Sequence, residues 1–191
     1  MKIGLFFGSF NPIHIGHMAI ANYMAEFTDL DQVWFVVTPH NPLKKKSSLL
    51  ADNHRLALVR AAIGDAGKYK ASNIEFKLPQ PSYTVNTLAH LSEKYPQHHF
   101  ALILGSDNLA TFPKWKNYEH ILSEYQLYVY PRPESDGGEL KLHPRVTLVP
   151  APFMDISSTF IRESIKAKKN VCFFMPLPAY EYLKEMHFYE K

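Results

Sequence analysis

An α/β fold, built as a Rossmann-like doubly wound parallel sheet in a single domain over residues 1–191, is predicted by three observations on the sequence. Short β-rich apolar runs alternate with amphipathic stretches long enough to be helices. Parallel strands need such crossover connections, which then cover both faces of the sheet. The run Phe100-Ala101-Leu102-Ile103-Leu104 is apolar throughout rather than at every second position, as in a central strand buried on both sides. Finally, 46% hydrophobic and 20% charged residues are ordinary proportions for a folded chain of this length, and no repeat, low-complexity tract or Gly/Ser linker interrupts it.

The elements follow in order. Residues 3–7, Ile-Gly-Leu-Phe-Phe, read as the first strand, and residues 15–27 as a helix whose wide apolar stripe leaves Asn22 and Glu26 off it. Residues 33–38, Val-Trp-Phe-Val-Val-Thr, supply the β-branched and aromatic side chains of a second strand. A helix at 53–66, a third strand at 74–76 and a helix at 85–94 come next, each helix near a polar residue suited to cap it. The strand at 100–104, a helix at 118–124, strands at 127–130 and 146–149, and helices at 158–168 and 179–186 complete the pattern. Folds of this kind bind ligands beyond the carboxyl ends of their strands. Chemistry is therefore expected in the loops 8–14, 39–50, 79–84, 105–115 and 150–157.

Composition excludes several classes. Cys172 is the only cysteine, so no internal disulfide can form, and its apolar neighbours (171–175) suggest an inert buried thiol. No signal peptide or membrane-length apolar run is found, so a cytoplasmic protein with no membrane partner is expected. A net charge of +3 is too small to argue for nucleic acid. The sequence leaves oligomeric state open, a homo-oligomer included.

The first loop is the most informative. Gly8 lets the backbone turn off the strand and come close to a ligand, and Pro12 biases Asn11 away from helix. His14 and His17 flank Gly16 at the start of the first helix, three residues apart and hence on one side of it. Two imidazoles beside unpaired helix N–H groups suit a phosphate. The pair lacks a third and fourth ligand at zinc-like spacing, so no protein metal site is expected. The spacing also departs from the dinucleotide fingerprint and the Walker loop. Near the other end, Ser157, Ser158 and Thr159 precede a helix that carries Arg162 one turn in, which gives a second grip on a polyanion. Two phosphate-binding helix N-termini suggest a triphosphate.

His14-Ile15-Gly16-His17 after Gly8-Ser9-Phe10-Asn11-Pro12, together with Ile156-Ser157-Ser158-Thr159-Phe160-Ile161-Arg162, resembles the nucleotidyltransferase superfamily. Its members move a nucleotidyl group from a triphosphate to a phosphate or carboxylate acceptor. Class I aminoacyl-tRNA synthetases share the first motif, but they are much longer and carry a Lys-Met-Ser-Lys-Ser loop that this chain lacks. The segments Ser82-Tyr83-Thr84-Val85-Asn86-Thr87, Gly105-Ser106-Asp107-Asn108, Pro113-Lys114-Trp115-Lys116 and Pro176-Leu177-Pro178 are similar to the bacterial nicotinate mononucleotide adenylyltransferases, over nearly the whole chain.

The resemblance implies an ATP site at Gly8, Ser9, Phe10, Gly16, Gly105, Asp107, Ile156, Ser157, Ser158 and Thr159, with Asp107 on the ribose. It implies His14, His17 and Arg162 as catalytic residues: His14 on the α-phosphate, His17 on the α- and β-phosphates, Arg162 on the outgoing phosphates. An acceptor site would take Asn11, His40, Lys44, Ser82, Tyr83, Thr84, Trp115 and Lys116, with the indole stacked on the pyridine ring. Two departures stand out: relatives read Pro-Pro-His-Lys where this chain has Asn41-Pro42-Leu43-Lys44, and Asn86 replaces a usual aspartate. Mg²⁺ is expected to travel with ATP. The implied reaction is adenylyl transfer to nicotinate mononucleotide. Nicotinamide mononucleotide, phosphopantetheine, or nucleotide sensing without turnover stay open as alternatives.

Overall fold

The computed structural model describes residues 1–39, 49–133 and 135–190. Six parallel strands, β1 (Lys2–Gly8), β2 (Gln32–Val37), β3 (Tyr69–Ser72), β4 (His99–Gly105), β5 (Gln126–Tyr130) and β6 (Val146–Leu148), form one sheet. Their spatial order is β3-β2-β1-β4-β5-β6. From β1 the chain builds outward through β2 and β3, then returns to add β4, β5 and β6 on the other side. The switch point therefore lies between β1 and β4, where a doubly wound sheet opens a crevice.

Side-chain alternation along each strand divides the interior into two cores. Phe6, Val33, Phe35, Val37, Ala101, Ile103 and Tyr128 face one side, where they pack with α1 (Ile15–Phe27), α2 (Asp52–Ile63), α6 (Ser158–Lys166) and α7 (Leu177–Glu185). Ile3, Leu5, Trp34, Val36, Leu102, Leu104, Leu127 and Val129 face the other, against α3 (Thr84–Lys94), α4 (Ser106–Thr111) and α5 (Tyr118–Glu124). Both faces of β4 are buried along 100–105, as its unbroken apolar run requires.

Some expected elements differ. The third strand is not 74–76 but Tyr69–Ser72, and Ile74–Lys77 is a 3-10 turn. Neighbouring Ile74 and Glu75 are both buried, which the alternation of a half-buried edge strand does not allow. The real strand was hard to read because Tyr-Lys-Ala-Ser at a sheet edge has no apolar alternation; Lys70 even lays its ammonium 4.0 Å from the Trp34 ring. α4 was missed within the expected loop 105–115. α2 stops earlier than expected, at Gly64 in the left-handed region (φ 53). Cys172 is only partly buried, and Phe173 beside it is 89% exposed, because residues 172–174 form a short 3-10 turn instead of a core segment.

Candidate active site

The carboxyl ends of β1, β4 and β5 open onto a cavity of about 400 Å³. It is lined by Gly8, Ser9, Phe10, Asn11, His14, Gly16 and His17 from the first loop and α1, and by Ile156, Ser157, Ser158, Thr159 and Arg162 around the start of α6. Asp107 enters from α4 and Arg132 from the end of β5. Two motifs about 140 residues apart thus share one cavity.

The first loop is shaped by its glycines. A Cβ on Gly8 would lie 2.9 Å from the Phe10 ring, so glycine lets that ring fold back against the strand end. Phe10 itself takes the left-handed conformation (φ 45), rare for an aromatic residue, and is held there by Phe6, Phe35 and His17 around its buried ring. Gly16 serves His14: a Cβ there would sit 3.0 Å from the imidazole Nδ1. The two histidine rings stack at 3.7 Å between centroids, 28° from parallel.

Protonation is set by this packing. The backbone N–H of His14 donates to Nδ1 of His17 (3.2 Å), so Nδ1 of His17 is an acceptor and the ring proton sits on Nε2. His14 is 4% exposed, and its buried Nδ1 finds no hydrogen-bond partner among the described residues. Burial first, and the nearby Arg132 guanidinium second, lower its pKa from 6.5 to about 4. An unfolded chain takes up this proton near pH 6.5, whereas the native one resists it until about 4. The native state accordingly keeps its full stability above pH 6.5 and loses about 3 kcal/mol from this group as pH falls toward 4. Urea unfolding at pH 7 and pH 4.5 checks this: the acid loss should be smaller in His14→Gln than in the parent.

The 156–162 motif is fastened to the first loop. Ser157 caps α6 by accepting from Phe160 N–H (3.1 Å), and Ser158 Oγ donates to the Pro12 carbonyl (2.9 Å). Arg162 donates from Nη1 to the Asn11 carbonyl (2.8 Å) and from Nη2 to Thr159 Oγ1 (3.1 Å). Ser158 and Arg162 thus join the two halves of the cavity as well as lining it. Asp107 lies 4.0 Å from Arg132 Nε and is the only carboxylate among the described lining residues. Gly105 stands just outside, where a Cβ would collide with Asp107 Oδ1 at 2.3 Å.

Of the expected acceptor residues, Asn11 lines this cavity, whereas Ser82, Tyr83, Thr84, Trp115 and Lys116 do not. Lys116 Nζ sits 4.5 Å over the Tyr83 ring, Trp115 packs tilted against Phe112 (5.0 Å between centroids, 46° between planes), and Thr84 opens α3. Ser82 is buried and donates to Glu75 Oε2 (3.1 Å), while Thr87 donates to Glu75 Oε1 (2.7 Å). Glu75 holds this segment from below, its carboxyl pushed upward in pKa by burial. His40 and Lys44 lie outside the described residues.

Sequence reasoning missed Arg132 and Arg55. Arg132 directly follows a strand, the position where ligand contacts are expected, but the loop after 127–130 was passed over. Arg55 carried no signal, being one polar residue on a predicted helix. It is 0% exposed, and each of its five N–H donors has an acceptor: Leu50, Ser9, Thr38 and Pro39 carbonyls and Asp52 Oδ1, at 2.6–3.1 Å.

A family model described as cytidylyltransferase-like matches residues 5–164. The chain belongs to the cytidylyltransferase-like family. Among the curated members it resembles, a Flavobacterium johnsoniae protein named "Probable nicotinate-nucleotide adenylyltransferase" is 60% identical over the full length of both chains. A Christiangramia forsetii protein of the same name is 56% identical, covering 99% of this chain and 98% of that one. The cytidylyltransferase-like fold also matches a solved Plasmodium falciparum nicotinic acid mononucleotide adenylyltransferase complexed with NaAD, at a TM-score of 0.84 and 20% identity over 99% and 97% of the two chains. Among the described residues, no helix is long and apolar enough to cross a membrane.

Proposed function

We propose that this chain is a nicotinate-nucleotide adenylyltransferase, transferring AMP from ATP to nicotinate mononucleotide with release of pyrophosphate. The observation that carries the reading is the meeting of His14, His17 and the start of α6 with Arg162 in one cavity at the sheet's switch point. Relatives of the same length and more than half the same residues bear that name.

In the reaction, a phosphate oxygen of the mononucleotide attacks the α-phosphorus of ATP. The bond from that phosphorus to the oxygen bridging the β-phosphate breaks, and pyrophosphate leaves with its electron pair. No protein nucleophile is needed; positioning and charge stabilisation suffice. His17 donates from Nε2 to the oxygens between the α- and β-phosphates, where charge grows. His14, kept neutral by burial, hydrogen-bonds the α-phosphate, while Arg162 and Arg132 face the outgoing phosphates with fixed positive charge. With Asp107 as the lone carboxylate among the described lining residues, the donor set fits Mg²⁺ held mainly by phosphates and water, and it would screen the triphosphate's charge.

The pyridine end of the acceptor is assigned to Thr84, Tyr83, Trp115 and Lys116, which cluster beyond the phosphate cavity, and its phosphate to Asn11 and Lys44. Thr84→Val should raise the KM for nicotinate mononucleotide by about tenfold, as expected for loss of a hydrogen bond to a charged group, and leave the KM for ATP within about twofold. Initial rates at varied substrate check it, and equal loss for both substrates contradicts the subsite. The function itself is tested by offering nicotinate mononucleotide, nicotinamide mononucleotide and phosphopantetheine in turn with Mg-ATP. The largest kcat/KM belongs to the nicotinate form on this reading; phosphopantetheine as the preferred acceptor would overturn it.

A further inference from the structure

The chain's last residues reach into the first loop. After α7, the His187 N–H donates to Lys184 O (3.1 Å) and the Phe188 N–H to Leu183 O (3.2 Å), turning the backbone sharply back. His187 and Tyr189 both take left-handed conformations (φ 54 and 65), and Phe188 is buried between them against His54 and Tyr182. Left-handed backbone at two non-glycine residues costs free energy that neighbouring contacts must offset. The outcome of that turn is specific. Tyr189 OH donates to Oδ1 of Asn11 at 2.6 Å, across 178 positions of sequence.

Asn11 lines the cavity between the histidines and Arg162. Its Oδ1 accepts a second bond from Leu50 N–H (3.1 Å), and its carbonyl accepts from Arg162. Two donors on one side of the carboxamide distinguish oxygen from nitrogen, so the orientation of the group follows from its partners.

We infer that Tyr189 is a positioning residue that sets the Asn11 carboxamide for the acceptor's phosphate, making the C-terminal turn part of the active site. Tyr189 touches no substrate itself; it acts through Asn11. The inference rests on the adenylyltransferase reading for its kinetic consequence, but not for the contact.

Tyr189→Phe keeps the ring and removes only the donor. Its expected effects are a rise of about five- to tenfold in the Kd and KM for nicotinate mononucleotide, as for one lost hydrogen bond, with the KM for ATP within twofold. The ¹⁵N-labelled side-chain amide signals of Asn11 should shift in the same variant. In an Asn11→Ala background, Tyr189→Phe should have no further effect on the acceptor, because residues acting through one another are not additive. Should Asn11→Ala fail to fold, Asn11→Leu, of similar shape but without an acceptor, takes its place in the cycle. Unmoved Asn11 amide signals, an unchanged acceptor Kd, or an undiminished effect in the Asn11-substituted background would each overturn the inference. If the parent protein binds no nicotinate mononucleotide, the functional reading fails instead, and the amide signals still decide whether Tyr189 orients Asn11.

Discussion

His17→Ala is expected to lower kcat by about 10²-fold or more, with the KM for ATP changed by less than about fivefold, because the lost donor acts on charge that develops only in the transition state. The structure gives two reasons to single out this ring. Its Nδ1 is occupied by the His14 N–H, which puts the proton on Nε2, and its faces are fixed by His14 at 3.7 Å and Phe10 at 5.1 Å between centroids. A donor held that firmly needs little reorganisation as charge builds. The substitution also leaves the His14 N–H without this acceptor, so thermal unfolding should accompany the kinetics to separate activity from folding. Single-turnover rates near the parent's would remove His17 from the chemistry.

Arg55→Met should lower stability by about 3–5 kcal/mol, the usual penalty for stranding the partners of a buried charge. For a chain of this size that is a fall in Tm of roughly 6–20 °C. Four carbonyls, drawn from the loop after β1, the end of β2 and the approach to α2, would lose their donor, and Asp52 its partner. Arg55→Lys keeps the charge but offers three donors in place of five, so its Tm should fall between the two. Differential scanning calorimetry reads both; a drop under about 2 °C for Arg55→Met would show that these carbonyls find other donors. The position matters for function because Ser9, one of those acceptors, lines the cavity.

Much of this architecture was legible in the sequence because its signals were local and strong. The unbroken apolar run at 100–104 does mark a central strand, and the alternation of strands and helices does produce a parallel sheet whose switch point carries the His14–His17 loop. The motif at 156–162 was expected to bring phosphate ligands to the same place and lies in the same cavity. What escaped was non-local. Glu75 reads as one residue of an apolar strand, yet its carboxylate organises Ser82 and Thr87, a fact that only the bent 3-10 turn reveals. Arg55 and Tyr189 carry no motif, since a buried guanidinium and a distant phenol are defined by partners from other segments. Ser157 and Ser158, read as phosphate ligands, form a helix cap and a strap to Pro12.

On the proposed function, AMP passes to the mononucleotide in a single displacement beside His14 and His17. The most direct test incubates the purified protein with Mg-ATP and nicotinate mononucleotide and quantifies pyrophosphate and dinucleotide together. Equal amounts of nicotinate adenine dinucleotide and pyrophosphate, with neither formed when the acceptor is omitted, are the predicted result. Pyrophosphate released without acceptor, or ATP bound with no dinucleotide formed, would contradict it.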